Sequence, residues 1–279
     1  GINYDKVFEY LNKAIELKPD YAEAYYDLGF IYFKQKNYYA AEEKLKKALS
    51  INNEQSASYI LLGDIYSEMK LYDLAIKNYY TAVTINPENA EVYLKLAKLY
   101  LMKQDFTKTK NALDEAKNIS PSNPELYFIY GVLYENSHMP DEAVAQYKKV
   151  LDYNPTHIEA LKNLGRIFIQ KGNENDAINI YSRILKITPD DIEINIALGK
   201  IYYGVNNLQL AKYYFLNVLK NDDRNIEALN FLGNIEYLNK NYDKAIDYAH
   251  KILSIDSTDK SARILCAKIY EDKNSIDEA

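Results

Sequence analysis

The sequence predicts an all-α chain built from antiparallel helix pairs, and three observations carry that prediction. A column of small residues recurs every 34 places: Gly29, Gly63, Ala97, Gly131, Gly165, Gly199, Gly233 and Ala267. Each 34-residue unit also holds two stretches with apolar residues at i, i+3, i+4 and i+7, as in Tyr25, Leu28, Gly29 and Tyr32, then Ala41, Leu45, Ala48 and Leu49. Five prolines, Pro19, Pro87, Pro121, Pro155 and Pro189, share one further column of the same period.

The elements follow in order. Residues 2–21 read as the second helix of an earlier unit, 22–259 as seven full units, and 260–279 as the first helix and turn of a later one. All are expected to form one domain spanning 1–279. Within a unit, a short polar stretch such as Lys36-Asn37 or Gly172-Asn173 marks the turn. So short a turn forces the two helices antiparallel. The proline at the unit's end cannot continue a helix, so it is expected to stop the second one.

A mid-helix glycine costs about 1 kcal/mol against alanine. Its recurrence therefore points to a neighbouring helix crossing at that place. Three places later stand Tyr32, Tyr66, Tyr100, Tyr134, Phe168, Tyr202, Glu236 and Tyr270. These large side chains are expected to fill the wedge between diverging helices, which assigns part of an unusual complement of 29 tyrosines to packing.

Leu62-Gly63, Tyr66, Ala75, Tyr79, Ala82 and Pro87 set out the whole pattern in one unit. A 34-residue period with these residues resembles the tetratricopeptide repeat, and the resemblance covers the chain. Departures are local: Thr109 at an alanine place, Glu236 at the tyrosine place, and Asn53, Asp223 and Ser257 at the proline place. The resemblance implies a right-handed superhelical solenoid whose first helices line a concave groove. It further implies a non-catalytic scaffold that holds a peptide or protein segment there.

The groove columns vary along the chain. Tyr26, Phe30 and Phe33 make the N-terminal end aromatic. Lys95, Lys98, Lys162, Arg166 and Lys200 make the middle basic, beside apolar Leu94, Leu101 and Phe128. Tyr203, Phe231 and Tyr237 follow towards the C-terminus. Exposed aromatics and arginine are typical anchors of binding energy. The expected partner is a protein or peptide with apolar anchors and some acidic character.

Other readings are weaker. A carboxylate-binding clamp starts at Lys162, Asn163 and Arg166 but is broken by Ala197 and Glu227, which argues against chaperone-tail binding. Glu23, Glu91, Glu125, Glu159, Glu193 and Glu227 open six units, where a carboxylate favours the helix dipole. A formal net charge of −6 speaks against nucleic acid. One cysteine, Cys266, in a packing column, and three dispersed histidines leave no disulfide framework and no metal or catalytic cluster. No nucleotide-binding or metalloprotease motif occurs, and no cofactor is expected. No stretch is apolar enough to span a membrane and no export signal is visible, so the cytoplasm is the expected compartment.

The chain starts and stops in mid-unit, which reads as a segment of a longer protein or as natural half-repeat caps. Two alternatives to a free-standing scaffold therefore stay open. One is the interaction region of a multidomain transferase or of a secretion or assembly factor. The other is self-assembly through uncapped ends, for which Ile264, Leu265, Ile269 and Ile276 of the last helix are candidates.

Overall fold

A computed structural model describes residues 4–277, with side chains over 6–273. Among the described residues there are helices and turns and no strand. The helices are α1 (Tyr4–Leu17), α2 (Ala22–Lys34), α3 (Tyr38–Ile51), α4 (Ser56–Glu68), α5 (Tyr72–Ile85), α6 (Ala90–Met102), α7 (Phe106–Ile119) and α8 (Pro124–Asn136). They continue with α9 (Pro140–Tyr153), α10 (Ile158–Gln170), α11 (Glu174–Ile187), α12 (Ile192–Gly204), α13 (Leu208–Asn221), α14 (Ile226–Leu238), α15 (Tyr242–Ile255) and α16 (Lys260–Asp277). Two compact units divide the chain, Gly1–Asn154 with α1 to α9 and Pro155–Ala279 with α10 to α16. In both, each even-numbered first helix from α2 to α14 packs most extensively on the second helix that follows it.

The turn inside each pair is one repeated device. The N–H of Asn37 donates to the carbonyl of Tyr32 (2.9 Å) and that of Lys36 to the carbonyl of Phe33 (2.8 Å), the double bond of a Schellman helix end. Lys36 needs a left-handed backbone for this, and φ is 57° to 60° at Lys36, Lys70, Gln104, His138, Asn206 and Lys240. Only at Gly172 (φ 73°) does glycine hold the place. The same Asn37 then caps α3, its side chain accepting from the Ala40 N–H (3.3 Å). A left-handed residue with a side chain costs roughly 1–2 kcal/mol. Gly172→Ala is accordingly expected to lower stability by about 1 kcal/mol in urea denaturation, although the new Cβ would meet nothing within 4 Å. A neutral result would show that the turn is not strained.

Proline is not what stops the second helices. α3, α13 and α15 lack it, having Asn53, Asp223 and Ser257 at that place, yet they end at the register position of the others. At four of the ends, the three without proline among them, the residue just after the helix supplies the stop. Asn52, Asn86, Asp222 and Asp256 turn their side chains onto the N–H two places on, at 2.8 to 3.3 Å, offering the chain an alternative to another helical bond.

The small column faces the second helix of its own pair. A Cβ on Gly63, Gly131 or Gly165 would stand 2.3 to 2.4 Å from the ring of Tyr79, Tyr147 or Tyr181, each sixteen places later. Leu45 and Phe215 take that role for Gly29 and Gly199. At Gly233 the corresponding residue is Ala249, and Leu265 of the following helix fills the space instead.

In three units the tyrosine place does something else: it closes the joint with the second helix of the preceding pair. Tyr32 lies against Phe8 (5.0 Å between rings), and Tyr66 donates to Glu42 (2.7 Å). Glu236, buried in the tyrosine place, pairs with Lys212. These are the same two positions of the repeat with three chemistries.

The last helix departs from expectation. α16 runs to Asp277, past the register place where the other first helices end. A nucleated helix gains a bond for each residue it adds. Leu265 and Ile269 are not part of an open end; they are buried against α14 and α15. Ile264 is exposed, and Ile276 lies outside the residues whose side chains are described. Cys266 is half-buried and packs partly on the same cluster, and burial pushes its thiol up.

Candidate interaction surface

The side chains expected on the groove fall into separate places in the two units. In the first unit, α2, α4, α5 and α6 bring Phe33, Asp64, Ser67, Tyr79, Lys95 and Lys98 around a cleft of about 400 Å³. Asp64 is its electrostatic centre. It accepts from the Tyr79 hydroxyl (2.5 Å) and from the Lys95 ammonium (2.6 Å). Burial and the Asp64 carboxylate together push the Tyr79 phenol far up. Phe30 is exposed, with the Lys34 ammonium 5.0 Å from its ring. Tyr26 is half-buried, and its phenol is raised by burial and then by Asp27 and Asp64.

Like Tyr26 and Phe30, the expected residues Leu94, Leu101 and Phe128 do not line this cleft. Leu94 is 5 % exposed and belongs to the core, so it offers no contact surface. Its place on the helix faces inward, a side that column spacing alone does not reveal. Leu101 and Phe128 are half-buried, and Phe128 packs on Tyr147 (5.8 Å between rings).

In the second unit, α10 and α12 bring Arg166 and Lys200 to the rim of a cleft of about 690 Å³. Ile169, Ile196 and Ala197 supply its apolar surface. Sequence reasoning read these three as column members and left them out of the site. Ala197 is the residue that breaks the clamp pattern, and its small side chain leaves room in the cleft. Lys162 is outside the cleft, held by Asp191 (3.0 Å) and Glu193 (2.8 Å). Partial burial would lower its pKa, but the bonds to Glu193 and Asp191 outweigh that and keep it raised. Tyr203 meets Phe231 edge-on (5.1 Å), and the Tyr237 hydroxyl donates to Asp272 (2.8 Å). Both tyrosines are thus engaged within the protein.

The middle of the surface is not bare positive charge. Lys98 pairs with Glu125 (2.8 Å) and Lys200 with Glu227, in both cases on the next first helix. Glu125 and Glu227, expected to favour helix starts, also neutralise a lysine of the preceding first helix. Among the described residues no group of histidine, cysteine and carboxylate side chains could hold a metal ion. His157 is occupied as a helix cap, its Nδ1 accepting from the Ala160 N–H (3.2 Å). No helix among them is long and apolar enough to cross a membrane.

Comparison with known proteins agrees with this architecture. Curated proteins yield no match. Solved structures of similar fold include YrrB, described as a TPR protein with an unusual peptide-binding site, at 23% identity and TM-score 0.57 over 67% of this chain and 96% of that one. A tetratricopeptide repeat protein from Parabacteroides merdae ATCC 43184 aligns at 18% identity and TM-score 0.59, over 89% of this chain and 98% of that one. PilW, described as a widely conserved type IV pilus biogenesis factor, aligns at 21% identity and TM-score 0.55, over 75% and 97%. At these identities they speak for the fold alone. Tetratricopeptide repeat family profiles match residues 4–36 and 63–104, 22–55, 137–201 and 196–260. Taken with the recurring register, the helix pairs and the packing of glycine on ring, these matches show that the chain belongs to the tetratricopeptide repeat family.

Proposed function

We propose that this protein is a non-catalytic scaffold that holds a peptide or protein segment against its first helices, and that the α10–α12 cleft takes the segment's main apolar anchor. The observation that supports this most is the cleft's make-up: an apolar surface of Ile169, Ile196 and Ala197 between two cations. That is the arrangement of a peptide anchor site, with burial supplying affinity and polar neighbours supplying orientation. Lys200 already has a partner in Glu227. Exposed pairs of this kind are worth about 0–1 kcal/mol, so a ligand carboxylate can replace Glu227 at little cost. Charge here sets register more than strength, and the acidic character of the ligand is secondary to its apolar anchor. The α4–α6 cleft offers a second, more polar contact for the same kind of segment.

Peptides selected on the protein from a random display library test this. Ile169, 38 % exposed, lies outside the buried core. Ile169→Asp should weaken the selected peptides at least about tenfold, or about 1.4 kcal/mol, with an unchanged circular dichroism spectrum. A tenfold rise in salt should change affinity by less than about threefold. Unchanged affinity in Ile169→Asp, or failure to select any peptide, would overturn the reading.

A further inference from the structure

Lys95, Lys98, Lys162 and Lys200 of the first helices all have carboxylate partners. A pair of lysines without any lies on the second helices. Lys186 of α11 and Lys220 of α13 occupy the same place in successive repeats, and both are exposed. Among the described residues Lys186 makes no ion pair, and Lys220 bonds only the neutral Asn217 (2.9 Å). Between them is a cleft of about 360 Å³, with Leu185, Pro189, Tyr213 and Tyr214 in its walls.

The aromatic wall is fixed. Tyr213 meets Tyr214 edge-on at 5.2 Å, and Tyr214 stacks on Tyr202 at 5.6 Å and 3°. Tyr213 nevertheless leaves 56 % of its surface open. Asp190 is the one carboxylate among the lining residues, against two ammonium groups. The charge belongs to this place and not to the repeat. At the matching positions of α5 and α7 stand Thr84 and Asn118, and Glu115 replaces Asn217. The corresponding cleft of the first unit, about 580 Å³, carries one lysine, Lys108, already paired with Asp105 (2.9 Å).

We infer that the α11–α13 cleft is a second docking site, distinct from the first-helix surface, for an acidic protein segment. An apolar side chain of that segment lies on Tyr213 and Leu185, and its carboxylates meet Lys186 and Lys220. On a chain of net charge −6, a local excess of cations with a rigid aromatic wall selects for acid-rich, apolar-containing sequence. Because these lysines are open to solvent, binding here is screened by salt.

Fluorescence anisotropy on the full chain tests the inference. The probes are a labelled decapeptide alternating Asp and Phe, and a control with Lys in place of Asp. The acidic probe should bind saturably and weaken as salt rises, and the basic control should not bind. Lys186→Glu with Lys220→Glu should weaken the acidic probe at least about tenfold, and the milder Lys186→Gln with Lys220→Gln should act in the same direction. Lys108→Glu, in the corresponding cleft of the first unit, should change it by less than about twofold. The inference is overturned if the acidic probe shows no saturable binding, if both probes bind alike, or if the Lys186 and Lys220 reversal leaves binding unchanged. The Ile169→Asp test of the first-helix cleft is read with separate peptides, so the two ideas fail independently.

Discussion

Gly131→Ala is expected to lower stability by about 2 kcal/mol, against the usual rule that alanine strengthens a helix. Overpacking a filled core costs about 1–3 kcal/mol, and alanine returns about 1 kcal/mol of helix propensity. The first effect wins here because the obstacle cannot move. The new Cβ would sit 2.4 Å from Cε1 and 2.7 Å from Cζ of Tyr147. That ring has no exposed surface and packs on Phe128, and its hydroxyl is tied to Glu135 (2.5 Å). Gly29→Ala is the comparison. There the neighbour is the aliphatic Leu45, at 2.8 Å, and the expected cost is under about 1 kcal/mol. Ala97, whose register partner is the buried Leu113, shows the combination that nature tolerates. Gly131→Ala combined with Tyr147→Leu should therefore be more stable than the two single losses predict, by at least about 1 kcal/mol in urea denaturation. Additive losses would mean that the ring is not what excludes the methyl group.

Lys212→Met is expected to cost about 3 kcal/mol. Glu236 is 1 % exposed, and its carboxylate is held by the Lys212 ammonium and by the Asn241 amide (2.7 Å). Burial alone would raise its pKa; the bonds from Lys212 and Asn241 outweigh it and keep the carboxyl below its ordinary value. Removing the lysine leaves a buried, uncompensated charge. Replacing both partners is different. Lys212→Ile with Glu236→Tyr restores the tyrosine of most other units and should be neutral or stabilising.

The pH dependence has a definite sign. A depressed carboxyl contributes stability that is present above its unfolded pKa, near 4.5, and is lost as pH falls through the folded value. The wild type should lose this contribution below about pH 4.5 and the double variant should not. Thermal unfolding of both from about pH 7 to about pH 3 checks this. Parallel curves would show that the pair is not linked to stability.

The groove lysines illustrate how far the sequence reaches. Lys98 and Lys200 were legible as members of a variable first-helix column, and Glu125 and Glu227 as residues that open helices. Their pairing was not, since it joins side chains on two different first helices. The charge therefore read as an open basic centre when it is a set of neutralised pairs. Leu94 failed for a related reason: its column faces the core at that unit and half-open space at others, as Tyr26 does. Glu236 looked like a defect in the tyrosine column until Lys212, on the second helix of the preceding pair, appeared opposite it.

The sequence by itself determined the repeat length, the helix pairs and the need for a small residue at one place in each pair. These are local and periodic properties, and the aligned columns state them redundantly. Only the tertiary structure decided what each column touches. The small residue meets a side chain of its own pair's second helix, whereas at the tyrosine place Tyr32, Tyr66 and Glu236 meet the second helix of the pair before and Tyr202 that of its own. Those contacts are set by how helices of one pair and the next are brought side by side, and side-chain identity is chosen against the neighbour so supplied.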